Sequence, residues 1–234
     1  MQQGEENLEI ISKLDRFNDW MFDEIHDYVK GNILEVGSGI GTISARILRK
    51  KDVEKVILTD VSNIYISRLK KKFNDKNTKV TKLDLGNLND FKKLKKDSFD
   101  TIVCLNVLEH VKEDLLAIKN MKSLLKKNGK LILLVPAYKF LYNELDMAVL
   151  HYRRYSKKDL VNLSKKSDFN IKKMFYFNFV SIFGWFINGG LLGKREVNET
   201  AAGFLNKFIP VVKFIEKYII FRKMGLSLIA IYEK

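Results

Sequence analysis

Residues Ile33-Leu34-Glu35-Val36-Gly37-Ser38-Gly39-Ile40-Gly41 form an apolar run that ends in three spaced glycines, and no other stretch limits the fold as much. A short apolar run closed by glycines reads as a buried strand turning sharply at its tip. A helical pattern follows, so backbone N–H groups at the start of a helix can face a ligand there. The same order recurs downstream. Strands are expected over 32–36, 55–60, 79–84, 99–105 and 130–135, separated by helices over 40–49, 62–73 and 115–125. Strands alternating with helices require right-handed crossovers, hence a Rossmann-like, doubly wound α/β fold with a mostly parallel sheet.

Two further strands, over 171–178 and 226–232, bring the expected sheet to seven. Apolar positions at helical spacing predict an N-terminal helix over 5–30, and Ser156 is the expected N-cap of a helix over 156–167. The chain reads as one domain over 1–234, with a ligand-binding core at 31–136. A partly hydrophobic helical cap at 137–225 and a last core strand at 226–234 complete it. Residues 1–6 are acidic and polar, unlike a signal peptide or lipidation motif. The single cysteine, Cys104, lies in an apolar strand, which suits a reducing, cytoplasmic setting. The net charge of +14 would draw nucleic acid or an anionic membrane. However, 34 of the 42 basic residues are lysine, spread over nearly every expected helix, so nucleic acid is not the expected partner.

In doubly wound sheets, ligands sit at the carboxyl ends of the strands. Those ends carry Asp60, Asp84 and Asn106-Val107-Leu108-Glu109-His110. A carboxylate at Asp60 can accept hydrogen bonds from ribose hydroxyls, and Asp84 can accept from an adenine amino group. A hydride-transfer fingerprint would need glycine where Thr42 stands. The set Leu34-Glu35-Val36-Gly37-Ser38-Gly39-Ile40-Gly41, Asp60, Asp84 and Asn106-Val107-Leu108-Glu109-His110-Val111 resembles the class I S-adenosylmethionine-dependent methyltransferases. The resemblance implies that S-adenosylmethionine is the cofactor and S-adenosylhomocysteine the product. It implies that Glu35, Gly37 and Gly39 face the methionine moiety, Asp60 the ribose, Asp84 and Leu85 the adenine, and Asn106 the sulfonium side. Ser38 and Val61 belong to the same cofactor set. It also implies that the last strand is antiparallel.

The acceptor is read from the segment after the fifth strand, where Tyr142 and His151-Tyr152-Arg153-Arg154-Tyr155 overhang the expected methyl end. His151 is the candidate general base and His110 a weaker one. Tyr142, Arg153, Arg154 and Tyr155 are candidate acceptor ligands, since Arg forks bind anionic groups. The competing reading is a solvated loop whose arginines pair with Glu144, Asp146 or Asp159. The stretch resembles a bacterial methyltransferase subgroup with a V-P-A … G-H-Y-R-R-Y pattern, with Leu150 in place of the glycine. Trp20 is a candidate for a cation–π contact with the sulfonium. His26, His110 and His151 have no metal-ligand spacing, so no metal is expected. An N-P-P-Y motif after the fourth strand is absent, which points away from nucleic-acid amine methylation. The charge-free stretch 175–193 and an amphipathic helix over 204–221 suggest membrane-surface contact through 175–221 and a peripheral place on the inner membrane face. The expected reaction is methyl transfer to oxygen of a small or amphipathic, lipid-linked acceptor. The alternatives are an RNA methyltransferase and a catalytically silent cofactor-binding module.

Overall fold

The structure, a computed structural model, describes residues 2–196 and 198–234, so Met1 and Val197 lie outside the described residues. In chain order the elements are α1 (Gln2–Ser12), α2 (Asp15–Asp23), β1 (Gly31–Val36), α3 (Ser44–Ile47), β2 (Val53–Asp60), α4 (Asn63–Lys72), β3 (Thr78–Lys82), α5 (Leu88–Phe91) and β4 (Phe99–Leu105). They continue with α6 (Asp114–Leu124), β5 (Leu125–Pro136), α7 (Glu144–Ala148), α8 (Lys157–Lys166), β6 (Asn170–Phe177), α9 (Ser181–Trp185), α10 (Glu199–Lys207), α11 (Ile209–Tyr218) and β7 (Ser227–Glu233). Among the described residues they build one seven-stranded sheet in the order β3-β2-β1-β4-β5-β7-β6. The pairs from β3 to β5 are parallel, whereas β7 runs antiparallel to both β5 and β6. The strand order reverses between β1 and β4, which places the ligand crevice at the tips of those two strands.

Each face of the sheet carries its own apolar layer, as a sheet buried on both sides requires. One layer joins Leu34, Ile102, Leu133 and Ala230 to α6 and α8. The other joins Ile33, Val103, Ile132 and Ile229 to Trp20, Phe22, Ile209 and Val212. The helix α8 begins as expected. The Ser156 hydroxyl accepts from the Asp159 N–H (3.2 Å), while Asp159 accepts from the Ser156 N–H (2.8 Å), a reciprocal cap.

Three expectations are corrected. The N-terminal helix over 5–30 is two helices, broken around Lys13 and Leu14. At the break the buried Asn18 amide donates to the carbonyls of Ile11 (2.8 Å) and Leu14 (3.0 Å), tying the two helices together. The helix over 40–49 shrinks to α3, because Gly41 (φ +79°) holds the chain in a turn. The helix over 204–221 splits into α10 and α11 at Phe208, where Pro210 starts the second helix and cannot continue the first. Its inward face is Ile209, Val212 and Glu216, whereas Phe204, Phe208, Val211, Tyr218 and Ile219 stay exposed.

The cap leans on the N-terminal helices. Arg16 donates to the Lys207 carbonyl (2.7 Å), Asn206 accepts from the Phe17 N–H (2.9 Å), and Lys213 pairs with Asp23 (2.7 Å). No helix among the described residues is long and apolar enough to cross a membrane.

Candidate active site

The glycine loop is strung between β1 and β2. Gly37, Gly39 and Gly41 all have positive φ (+71°, +53° and +79°), so the loop turns tightly, with the Gly39 N–H donating to Asp60 (2.9 Å) and the Gly41 N–H to the Ser38 carbonyl (2.8 Å). A Cβ on Gly37 would lie 2.3 Å from a methyl of Val107, so the loop packs directly against the tip of β4. Ser38 is buried. Its N–H donates to the Thr59 carbonyl (2.7 Å), and its hydroxyl accepts from the Thr59 N–H (3.2 Å).

Asp60, at the end of β2, accepts from the Gly39 N–H (2.9 Å) and the Ser62 N–H (2.8 Å). Burial raises its pKa above the ordinary carboxylate range. Its two oxygens hold these backbone donors and still have lone-pair capacity for a further hydrogen bond. Glu35 lies buried under the loop, accepting from the Ser44 hydroxyl at 2.5 Å, and burial pushes it up to about 7.

The other tips are more open. Val61 is exposed, Asp84 is half-buried and accepts from the Gly86 N–H (2.8 Å), and Leu85 is buried beside it. Asn106 is exposed with φ +54°, which swings it out from β4 while its N–H donates to the Leu134 carbonyl (2.8 Å). These features suit S-adenosylmethionine. A tight glycine turn that lets a ligand approach the backbone, an acid at the next strand tip and polar groups at the following two tips are of the right kind for a nucleoside amino acid.

Trp20 does not join them. Its ring is buried against Phe177 (centroids 4.4 Å) and Phe17 (6.2 Å), so it is part of the core beneath the cap.

The segment after β5 is corrected more heavily. Arg154 is buried rather than open to an acceptor. Its Nε donates to both oxygens of Asp146 (2.9 Å each), Nη1 donates to the Ala137 carbonyl (3.0 Å), and its guanidinium lies 4.7 Å from the Trp185 ring. Arg153 pairs with Asp114 (3.0 Å) and donates to the Lys112 carbonyl (2.7 Å). Tyr155 is also buried, donating to Asp114 (3.0 Å), and its pKa is driven upward by burial and then by that carboxylate. Of the four candidate acceptor ligands only Tyr142 keeps an exposed ring, and its hydroxyl donates to the His151 carbonyl (2.7 Å). The solvated alternative had the right partner for Arg154 in Asp146, but the pair is interior.

Asp146, which was not singled out as a site residue, is the hub of this segment. Besides Arg154 it receives the Trp185 indole N–H (3.2 Å) and the Asn143 N–H (3.2 Å), and it lies 2.8 Å from His151 Nδ1. His151 Nε2 then faces Glu109 at 3.7 Å, and the His110 ring stands edge-on to His151 (centroids 4.7 Å). Glu109 is fully buried, and neither of its carboxylate oxygens has a hydrogen-bond partner among the described residues. Partial desolvation and the neighbouring His151 press His110 below the ordinary histidine range. His110 and His151, which have no ligand spacing in the sequence, thus meet in space beside Glu109. The one signal was the Glu109-His110 pair directly after a strand tip.

The turn leading into His151 carries strain. Leu150 has φ +61° and is exposed, so it occupies the left-handed backbone that the glycine of the related pattern would fit. Leu150→Gly is expected to stabilise the chain by about 1 kcal/mol. A thermal melt should show a rise of roughly 2–4 °C; a fall would mean that the Leu150 side chain makes a stabilising contact.

Residues 34–131 match the model of a family described as a methyltransferase domain. Probable polyketide synthase 42 of Dictyostelium discoideum is 33% identical over 131 residues, 47% of this chain and 5% of that protein. The chain therefore spans only about a twentieth of the length of the curated relatives it matches. Among solved structures, an S-adenosylmethionine-dependent methyltransferase from Mesorhizobium loti superposes with a TM-score of 0.66 at 12% identity. That match covers 92% of this chain and 98% of the other. One from Archaeoglobus fulgidus gives a TM-score of 0.62 at 15% identity, covering 92% and 91%.

Proposed function

We propose that this chain is a class I S-adenosylmethionine-dependent methyltransferase whose acceptor is a small, amphipathic molecule methylated at oxygen. S-adenosylmethionine supplies a methyl group on a cationic sulfur. The chain's own part is to hold and orient. The glycine loop and Glu35 lie toward the methionine moiety, Asp60 and Val61 toward the ribose, Asp84 and Leu85 toward the adenine, and Asn106 toward the sulfonium. Residues 137–225 cover the acceptor, which enters between the tip of β4 and the turn at Leu150.

The reading rests chiefly on one observation, the His151 imidazole fixed by Asp146 at 2.8 Å next to the β4 tip. A carboxylate on Nδ1 selects one tautomer and orients the ring, leaving Nε2 able to take a hydroxyl proton. Tyr142 lines the entrance. An amphipathic, lipid-linked acceptor is favoured because the cap turns Phe204, Phe208, Phe214 and Tyr218 outward beside Lys207, Lys213 and Lys217. Such a face suits an anionic membrane surface on the cytoplasmic side.

The test is incubation with S-adenosylmethionine labelled in its methyl group and a cell extract, resolved into lipid, small-molecule, RNA and protein fractions. Label in the lipid fraction, with the chain co-sedimenting with anionic vesicles, is the expected result. Label in RNA or protein would overturn the acceptor class, and no label in any fraction would favour a silent cofactor-binding module.

A further inference from the structure

Glu109, His110 and His151 present a carboxylate and two imidazoles whose ligand atoms all lie within 4.8 Å of one another, with one side open at exposed His110. Two features set this group apart from an ordinary polar cluster. Glu109 is fully buried and, among the described residues, neither of its oxygens has a hydrogen-bond partner, a costly arrangement unless a proton or a cation neutralises it. In addition, the His151 Nδ1–H is committed to Asp146, which leaves the Nε2 lone pair facing the carboxylate across 3.7 Å. Two acceptors thus point at each other over a gap too long for a hydrogen bond.

We propose that this cluster binds a divalent transition-metal cation through Glu109, His110 and His151, with open positions toward the acceptor. The geometry suits this. With metal–ligand bonds of about 2.0–2.2 Å, two ligands 3.7 Å apart subtend roughly 115–135° at the ion, within reach of tetrahedral or distorted geometry. Two imidazoles and one carboxylate with open positions are a known ligand class for such ions. Asp146 supplies the carboxylate behind the ligating histidine that orients such rings, and Arg154 in turn fixes Asp146. The backbone is held as well, since the Glu109 carbonyl accepts from the Tyr152 N–H (2.8 Å) and so ties the β4 tip to the His151 segment. A cation here lies on the Asn106 side of the crevice, where coordination would make an acceptor hydroxyl acidic. With the ion bound, His151 Nε2 holds the metal in place of its role as base, and the proton of the coordinated hydroxyl passes to solvent water. This role rests on the acceptor reading above, but cation binding itself does not.

The test uses the whole chain, freed of metal with a chelator, without cofactor or acceptor. Co²⁺ is added and followed by calorimetry and by its visible d–d absorption. The expected result is one Co²⁺ per chain, with affinity reduced at least 100-fold in Glu109→Gln and in His151→Ala, and about 10-fold or more in His110→Ala. Affinity should be unchanged in His26→Ala. Circular dichroism checks that each variant is folded, and His110→Ala, altered at the surface, serves if Glu109→Gln does not fold. No binding at millimolar Co²⁺, or tight binding that survives Glu109→Gln or His110→Ala, would overturn the site. Because neither cofactor nor acceptor is present, failure of the methyl-transfer reading would leave this result standing.

Discussion

Arg154→Ala is expected to lower the stability of the chain by about 3–5 kcal/mol, the cost of leaving a buried carboxylate without its partner. Asp146 is fully buried and Arg154 nearly so, and two Nε bonds of 2.9 Å join them. Removing the guanidinium also frees the Ala137 carbonyl and one face of Trp185. For a chain of this length the thermal midpoint should fall by roughly 10 °C. Arg154→Lys should recover little, because a point charge cannot satisfy both Asp146 oxygens and the carbonyl together. Thermal and urea unfolding give the answer. A loss under about 1 kcal/mol would mean that water reaches Asp146 once the arginine is gone.

Asp60→Ala carries the second large effect, on cofactor affinity rather than on folding. The carboxylate pins the glycine loop through Gly39 and the start of α4 through Ser62, and its remaining lone pairs are those assigned to the ribose. Hydrogen bonds to a charged group contribute about 1.5–3 kcal/mol each, so loss of the ribose contacts should weaken S-adenosylmethionine binding by roughly 100-fold or more. Asp60→Asn should also bind weakly, since its amide NH₂ turns a donor toward a donor. Calorimetry with the folded variants decides it, and an unchanged affinity would remove Asp60 from the cofactor site.

The parts of this molecule legible in its sequence are those whose signal is local. Glycines at the tip of 32–36, acids at the ends of the next two strands and the Ser156 cap each act within a few residues, and all fall where expected. The antiparallel last strand was implied by family resemblance and is there. What could not be read depends on which way a side chain turns once distant segments meet. Arg154 and Tyr155 look like ligands in a row of polar aromatics, but Asp146 and Asp114 draw them inside. Trp20 lies on a helix that faces Phe177 rather than the crevice. The amphipathic pattern over 204–221 is real, but Pro210 breaks it into two helices, and most of its apolar residues stay exposed. The Glu109, His110 and His151 cluster is assembled from the tip of β4 and the segment beyond β5, a juxtaposition that no spacing rule can see.

The placement of β7 has a consequence during synthesis. This strand is made last of the seven, yet both of its edges are hydrogen-bonded, to β5 on one side and β6 on the other. Until it leaves the ribosome, β5 and β6 each present a bare edge with no legitimate neighbour, and the apolar residues destined for Leu228 to Ile231 to cover stay wet. The nascent chain is therefore most exposed to wrong pairing in the interval while α9, α10 and α11 are being made. The exposed aromatics of the cap emerge in that interval, so a chaperone that shields them early would shelter the unfinished sheet as well.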